Sequence, residues 1–153
     1  MRFPYTAYTS EVEGTEKIGK QLAAELEKDT SLPPFVALYG DLGVGKTAFV
    51  RGFVSEIAPA ATVRSPTFAL VNEYKAKPRA LFHFDMYRID SEDDLDSIGF
   101  YDYLDRSGIC LVEWSEKIPF ALPDRYLRVR VEKNDASNPN CRKITIESVE
   151  ESL

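Results

Sequence analysis

Only two cysteines, one histidine and one tryptophan occur among the 153 residues. Cys110 and Cys141 lie far apart in strand-like stretches, which provides neither a disulfide framework nor zinc-ligand spacing. They are expected as buried thiols in a reducing compartment. No apolar run approaches the roughly 18 residues that a membrane-spanning helix needs. The opening Met1-Arg2-Phe3-Pro4-Tyr5-Thr6 also lacks an apolar stretch of signal-peptide length. A cytoplasmic protein with no membrane association is therefore expected. Positive charge is in deficit, with 19 Lys and Arg against 25 Asp and Glu and a net charge of −6. Affinity for a phosphate backbone depends on cations that displace counterions, so unaided binding to DNA or RNA is not expected. The small basic group Lys75, Lys77 and Arg79 reads as the solvated tip of a hairpin.

What is present is an ordinary globular composition, 44% hydrophobic and 29% charged. With no internal repeat and no linker, residues 1–153 are expected to form one domain. Residues 2–9 suit a short edge strand. Ser10-Glu11-Val12-Glu13 has the form of a capping box. The i, i+4, i+8 spacing of Ile18, Leu22 and Leu26 predicts a helix over 11–28. Phe35-Val36-Ala37-Leu38-Tyr39 is a continuous apolar run of the kind buried on both faces of a parallel sheet. Phe49, Val50, Phe53, Val54 and Ile57 then return at helical spacing. Phe68–Tyr74 and Ala80–Tyr87 read as strands, residues 91–106 as one or two short helices broken near Gly99, and Ile109–Val112 as another buried strand. The runs 125–133 and 141–149 alternate around a turn-rich segment and predict an antiparallel hairpin. The fold class is thus α/β, a mixed parallel and antiparallel sheet flanked by helices with a C-terminal antiparallel hairpin.

Between the first apolar strand and its helix stands Gly40-Asp41-Leu42-Gly43-Val44-Gly45-Lys46-Thr47, a full match to the Walker A pattern. Glycines allow the positive φ that turns backbone N–H groups onto a phosphate, and the helix N-terminus adds its dipole. Lys46 would place a charge on the β- and γ-phosphates, and the Thr47 hydroxyl would ligate Mg²⁺. A single P-loop NTPase domain is the expectation, with Mg-ATP as ligand. A metal-holding carboxylate should end a neighbouring strand, where ligands of parallel sheets collect. Asp85 and Glu113 both qualify, and Glu113 could equally polarise the attacking water. Lys46, Asp85 and Glu113 are therefore the catalytic candidates, with ligand and base left unassigned between the two acids. Trp114 fits either core packing or a position near the nucleotide, and His83 reads as structural. Ser65 and Thr67 flank Pro66 on a loop that is either a plain turn or a γ-phosphate switch.

Absent motifs bear on the competing readings. No Asn-Lys-x-Asp segment occurs, so a guanine-specific switch is disfavoured and adenine favoured. A small-molecule kinase would need an arginine-rich lid, yet Arg51, Arg64, Arg79 and Arg88 are scattered and no insertion of lid size follows residue 88.

Together with Ser65-Pro66-Thr67-Phe68, His83-Phe84-Asp85-Met86-Tyr87-Arg88 and Glu113-Trp114, the Walker A segment resembles the TsaE (YjeE) family in order and spacing, over most of residues 15–115. The resemblance implies an ATPase of bacterial tRNA threonylcarbamoyladenosine formation, at the adenosine beside the anticodon of ANN-decoding tRNAs. It implies an accessory subunit that docks on a TsaD–TsaB heterodimer and meets tRNA only through that complex. Carried over, the ATP contacts are Thr15 and the run Asp41, Leu42, Gly43, Val44, Gly45, Lys46, Thr47 and Ala48, with Ser65, Thr67 and Trp114 nearby. The metal site is Thr47, Asp85 and Glu113. One departure is Ala48, where family members commonly carry a second threonine.

Overall fold

The computed structural model describes residues 1–41, 45–61, 63 and 70–150. Its strands are β1 (Tyr5–Thr9), β2 (Phe35–Tyr39), β3 (Val71–Tyr74), β4 (Ala80–Asp85), β5 (Gly108–Glu113), β6 (Arg125–Lys133) and β7 (Arg142–Glu150). Its helices are α1 (Val12–Lys28), α2 (Lys46–Ile57), α3 (Glu92–Ser97) and α4 (Phe100–Leu104). The strands form one seven-stranded sheet in the order β1-β7-β6-β2-β5-β4-β3. Its centre, β6-β2-β5-β4, is parallel; β7 pairs antiparallel with β6, β1 with β7, and β3 with β4. The C-terminal hairpin and the mixed sheet expected from alternation are both present.

Burial of β2 on both faces explains its unbroken apolar run. Val36 and Leu38 join Leu81, Ile109 and Leu111 against α1 and α2. Phe35 and Ala37 join Phe82, Phe84 and Val112 on the opposite face, where α4 inserts Phe100. Phe100 meets Phe84 edge-on at 5.3 Å and Phe35 at 6.3 Å between ring centroids, a geometry that adds to plain area burial. Ile98 and Gly99, the latter at φ 71°, separate α3 from α4, so the break near Gly99 has a left-handed residue as its cause.

Three local expectations change. Ser10 does not cap α1: the N-cap is Glu11, with no side-chain cap hydrogen bond, and its carbonyl accepts from the Gly14 and Thr15 amides. The basic group at 75–79 is not wholly solvated, because the Arg79 guanidinium donates to the Leu26 carbonyl at 2.6 Å and caps the end of α1. Cys110 is buried on β5, its thiol pushed up to about 12 by burial, but Cys141 is only half-buried and precedes β7. Among the described residues no helix is long and apolar enough to cross a membrane.

The helices α1 and α2 touch backbone to backbone. A Cβ at Gly52 would stand 1.8 Å from the Glu16 carbonyl oxygen, and one at Gly19 would stand 2.1 Å from that of Phe49. Such contact lets Phe49 and Phe53 reach the sheet with no exposed surface. Gly52→Ala is expected to cost about 3 kcal/mol, since neither backbone can move aside without opening the core. Urea denaturation at unchanged m-value measures it; a midpoint within error of wild type would contradict the packing described.

Candidate functional site

Parallel strands end together at one edge of the sheet, and the site is assembled there. β2 hands the chain to Gly40 at φ 147° and, past the turn, to Gly45 at φ 101°. Gly45 is the N-cap of α2, and its carbonyl accepts from Phe49 N at 3.3 Å. Both values lie in the left-handed region that glycine enters without strain. Leu42, Gly43 and Val44 lie outside the described residues, as do Ser65 and Thr67 of the loop read as a switch.

Lys46 opens α2 and is 6% exposed. Its ammonium donates to the Gly40 carbonyl at 2.5 Å and sits 3.6 Å from the centroid of the Trp114 ring. Burial lowers its pKa, while Glu116, Glu113, Asp85 and Asp41 push it back up. The ring face and the carboxylates thus favour its charge against the cost of burial. Thr47 is exposed beside it and Ala48 is buried. Asp41 is exposed at the start of the turn.

The two acids fall side by side. Asp85 ends β4 and Glu113 ends β5, and they are partners in the parallel register. Period-two alternation places them, with His83 and Leu111, on the α1/α2 face. Asp85 Oδ1 accepts the Tyr87 amide at 3.0 Å, and Glu113 Oε2 lies 2.6 Å from His83 Nε2. Burial raises the Asp85 pKa most, and the neighbouring Glu113 raises it further, against the Tyr87 amide, His83 and Lys46. An ionised pair here therefore costs stability as the pH rises through the Asp85 pKa, and a cation would relieve that cost.

Trp114 has φ 59°, a left-handed value rare for an aromatic residue. That turn starts a 3₁₀ segment, Ser115–Lys117, pinned where the Ser115 hydroxyl donates to the Val112 carbonyl at 2.8 Å. It lays the indole between Lys46 and Tyr87, whose ring centroid is 4.9 Å away. Trp114 packs against the core cluster of Phe35, Phe84 and Phe100 and also lies over the Lys46 ammonium.

Thr15 stands in the first turn of α1, 2% exposed, its hydroxyl 3.0 Å from that of Thr9. Thr9 aligns with Arg142 on β7, and Arg142 with Lys133 at the end of β6, so the start of α1 belongs to the same sheet edge. Sequence reasoning missed two neighbours of the turn. Glu116 Oε2 accepts from the Gly40 amide at 3.5 Å, and with Gly40, Asp41, Arg130, Glu132 and Lys133 it lines a cleft of about 580 Å³. Arg142 reaches to 3.5 Å from where a Cβ on Gly45 would be. Glu116 had a faint signal, three residues beyond the Glu113 already singled out; Arg142 had none, because only the β6–β7 register brings it there.

A strand, a positive-φ glycine turn and a helix at the carboxyl edge of parallel strands, with two carboxylates on neighbouring strand ends, define an α/β protein with a mixed sheet. Residues 9–144 match the family model described as threonylcarbamoyl adenosine biosynthesis protein TsaE. The chain belongs to that family. It is 39% identical over 120 residues to the tRNA threonylcarbamoyladenosine biosynthesis protein TsaE of Haemophilus influenzae, covering 78% of this chain and 76% of the relative. It is 35% identical over 137 residues to the Bacillus subtilis protein of the same name, covering 90% and 81%. Among solved structures, the crystal structure of Bacillus subtilis YdiB superposes with a TM-score of 0.74 at 29% identity, covering 99% of this chain and 88% of that one.

Proposed function

We propose that this TsaE-family chain serves tRNA threonylcarbamoyladenosine biosynthesis by binding and hydrolysing Mg-ATP, as the accessory ATPase of a TsaD–TsaB-type transferase. The observation that carries the ATPase reading is Lys46, buried at the head of α2 and facing the strand-end pair Asp85 and Glu113.

Lys46 would exchange the Gly40 carbonyl for phosphate oxygens, joined by the amides of the turn and the α2 dipole. The residues fit Mg²⁺, because the Thr47 hydroxyl and the carboxylates of Asp85 and Glu113 are hard oxygen donors. When bound, the ion would neutralise charge developing on the transferred phosphoryl group. Glu113, fixed through Oε2, would orient and deprotonate water with its other oxygen. Asp85, fixed through Oδ1, would act on the ion or its water. Ser65 and Thr67 would sense the γ-phosphate, and Thr15, Asp41 and Trp114 would lie against the nucleotide.

The sequence assigns no arginine finger, its arginines being scattered, although Arg142 and Arg130 stand beside the turn. Hydrolysis is therefore expected to be slow alone and at least about tenfold faster in the complex, where a partner residue or Arg88 supplies the missing charge. The test is formation of threonylcarbamoyladenosine on unmodified tRNA by TsaD and TsaB from threonylcarbamoyl-adenylate, with and without this chain. Multiple turnovers that require the chain, ATP and Lys46 are expected. Product formation indifferent to the chain, while ATP still binds, would overturn the reading in favour of a small-molecule kinase.

A further inference from the structure

We propose that His83 is a positioning residue for Glu113: its Nε2–H fixes one carboxylate oxygen so that the other is presented to the metal and water. The inference rests on the Mg-ATPase reading above. His83 is 1% exposed, lies two residues before Asp85 on β4, and points at Glu113 from beneath the catalytic edge. Its Nε2 is 2.6 Å from Glu113 Oε2, and its Nδ1 is buried with no hydrogen-bond partner among the described residues.

That asymmetry selects a tautomer. A proton on Nδ1 would leave a buried donor unsatisfied and set a lone pair against the Glu113 carboxylate. A proton on Nε2 makes the 2.6 Å contact a charge-assisted hydrogen bond and leaves only an acceptor unpaired. Asp85 receives the equivalent service from the Tyr87 amide. Each acid is thus tied at one oxygen by a donor of its own, and only Glu113 takes that donor from a side chain. A glutamate left untethered would spread over several rotamers, each turnover bearing the ordering cost.

The experiment compares His83→Gln with His83→Met, which have similar length and differ in the N–H donor. His83→Met is expected to lose 10- to 100-fold in kcat, with Mn²⁺ affinity measured by paramagnetic resonance reduced less than tenfold. The KM for ATP and binding of ATP in chelator should stay near wild type, and His83→Gln should recover most of the loss. Equal loss in both variants, or loss of metal-free ATP binding as well, would reduce His83 to a packing role. If His83→Met does not fold, the outcome is decided by His83→Gln and by ¹⁵N spectra of the wild-type protein, whose single histidine gives one pair of ring resonances. Protonated Nε2, shifting on Glu113→Gln and on Mg²⁺ addition, is expected; a bare Nε2 would overturn the proposal. Failure of the wild-type chain to bind Mn²⁺ with ATP would overturn the ATPase reading and this inference with it.

Discussion

Lys46→Ala is expected to weaken ATP binding by at least about a hundredfold without unfolding the protein. A charge-assisted hydrogen bond contributes about 1.5–3 kcal/mol, and Lys46 would make two in a dry turn, where about 1.4 kcal/mol is tenfold in affinity. Stability should respond in the opposite sense. Burial lowers the folded-state pKa of Lys46 below its unfolded value, so holding its charge costs stability at neutral pH. That cost disappears as the pH rises through the lowered pKa towards the unfolded value, about 10.4. Wild type should thus gain stability relative to Lys46→Ala across that alkaline interval. Calorimetry with ATP, together with melts at neutral and alkaline pH, tests both halves. Unchanged ATP affinity would refute the site assignment.

Glu113→Gln carries the second large effect. The amide keeps the size of the side chain and can still accept from His83, but it cannot take a proton from water. Turnover is expected to fall about 10²- to 10⁴-fold, the usual contribution of a general base, with Mg-ATP affinity reduced less than tenfold. The split would assign Glu113 as base and leave metal binding to Thr47 and Asp85. A large loss of Mg²⁺ affinity would reverse the two acids, and near-normal hydrolysis would exclude Glu113 from both roles. Single-turnover rates with matched calorimetry distinguish these results.

Much of this was legible from local pattern. The alternation of Tyr126, Leu127, Val129 and Val131 foretold β6, and the continuous run Phe35–Tyr39 foretold a strand with cover on both faces. The phosphate turn was readable because its glycines answer a backbone demand, met at Gly40 and Gly45. Asp85 and Glu113 were found as strand ends, but their pairing comes from the β4–β5 register, which no local spacing encodes. Arg142 stayed hidden for the same reason: the β6–β7 hairpin meets the turn only after the sheet closes. The capping box failed because a side chain competes with its own backbone, and at Glu11 the carbonyl alone starts the helix. His83 looked like a core residue and is buried like one; only the aim of its ring reveals Glu113 as its partner.

The seat of Trp114 gives the protein an optical voice of its own. Because no other tryptophan is present, emission excited at the indole comes from one ring, and that ring has an ammonium 3.6 Å from its face. Any event that draws Lys46 off the indole changes the field acting on the chromophore. Occupancy of the phosphate turn can then be followed in real time, in the unlabelled chain and amid tryptophan-free partners, as a change of colour and brightness.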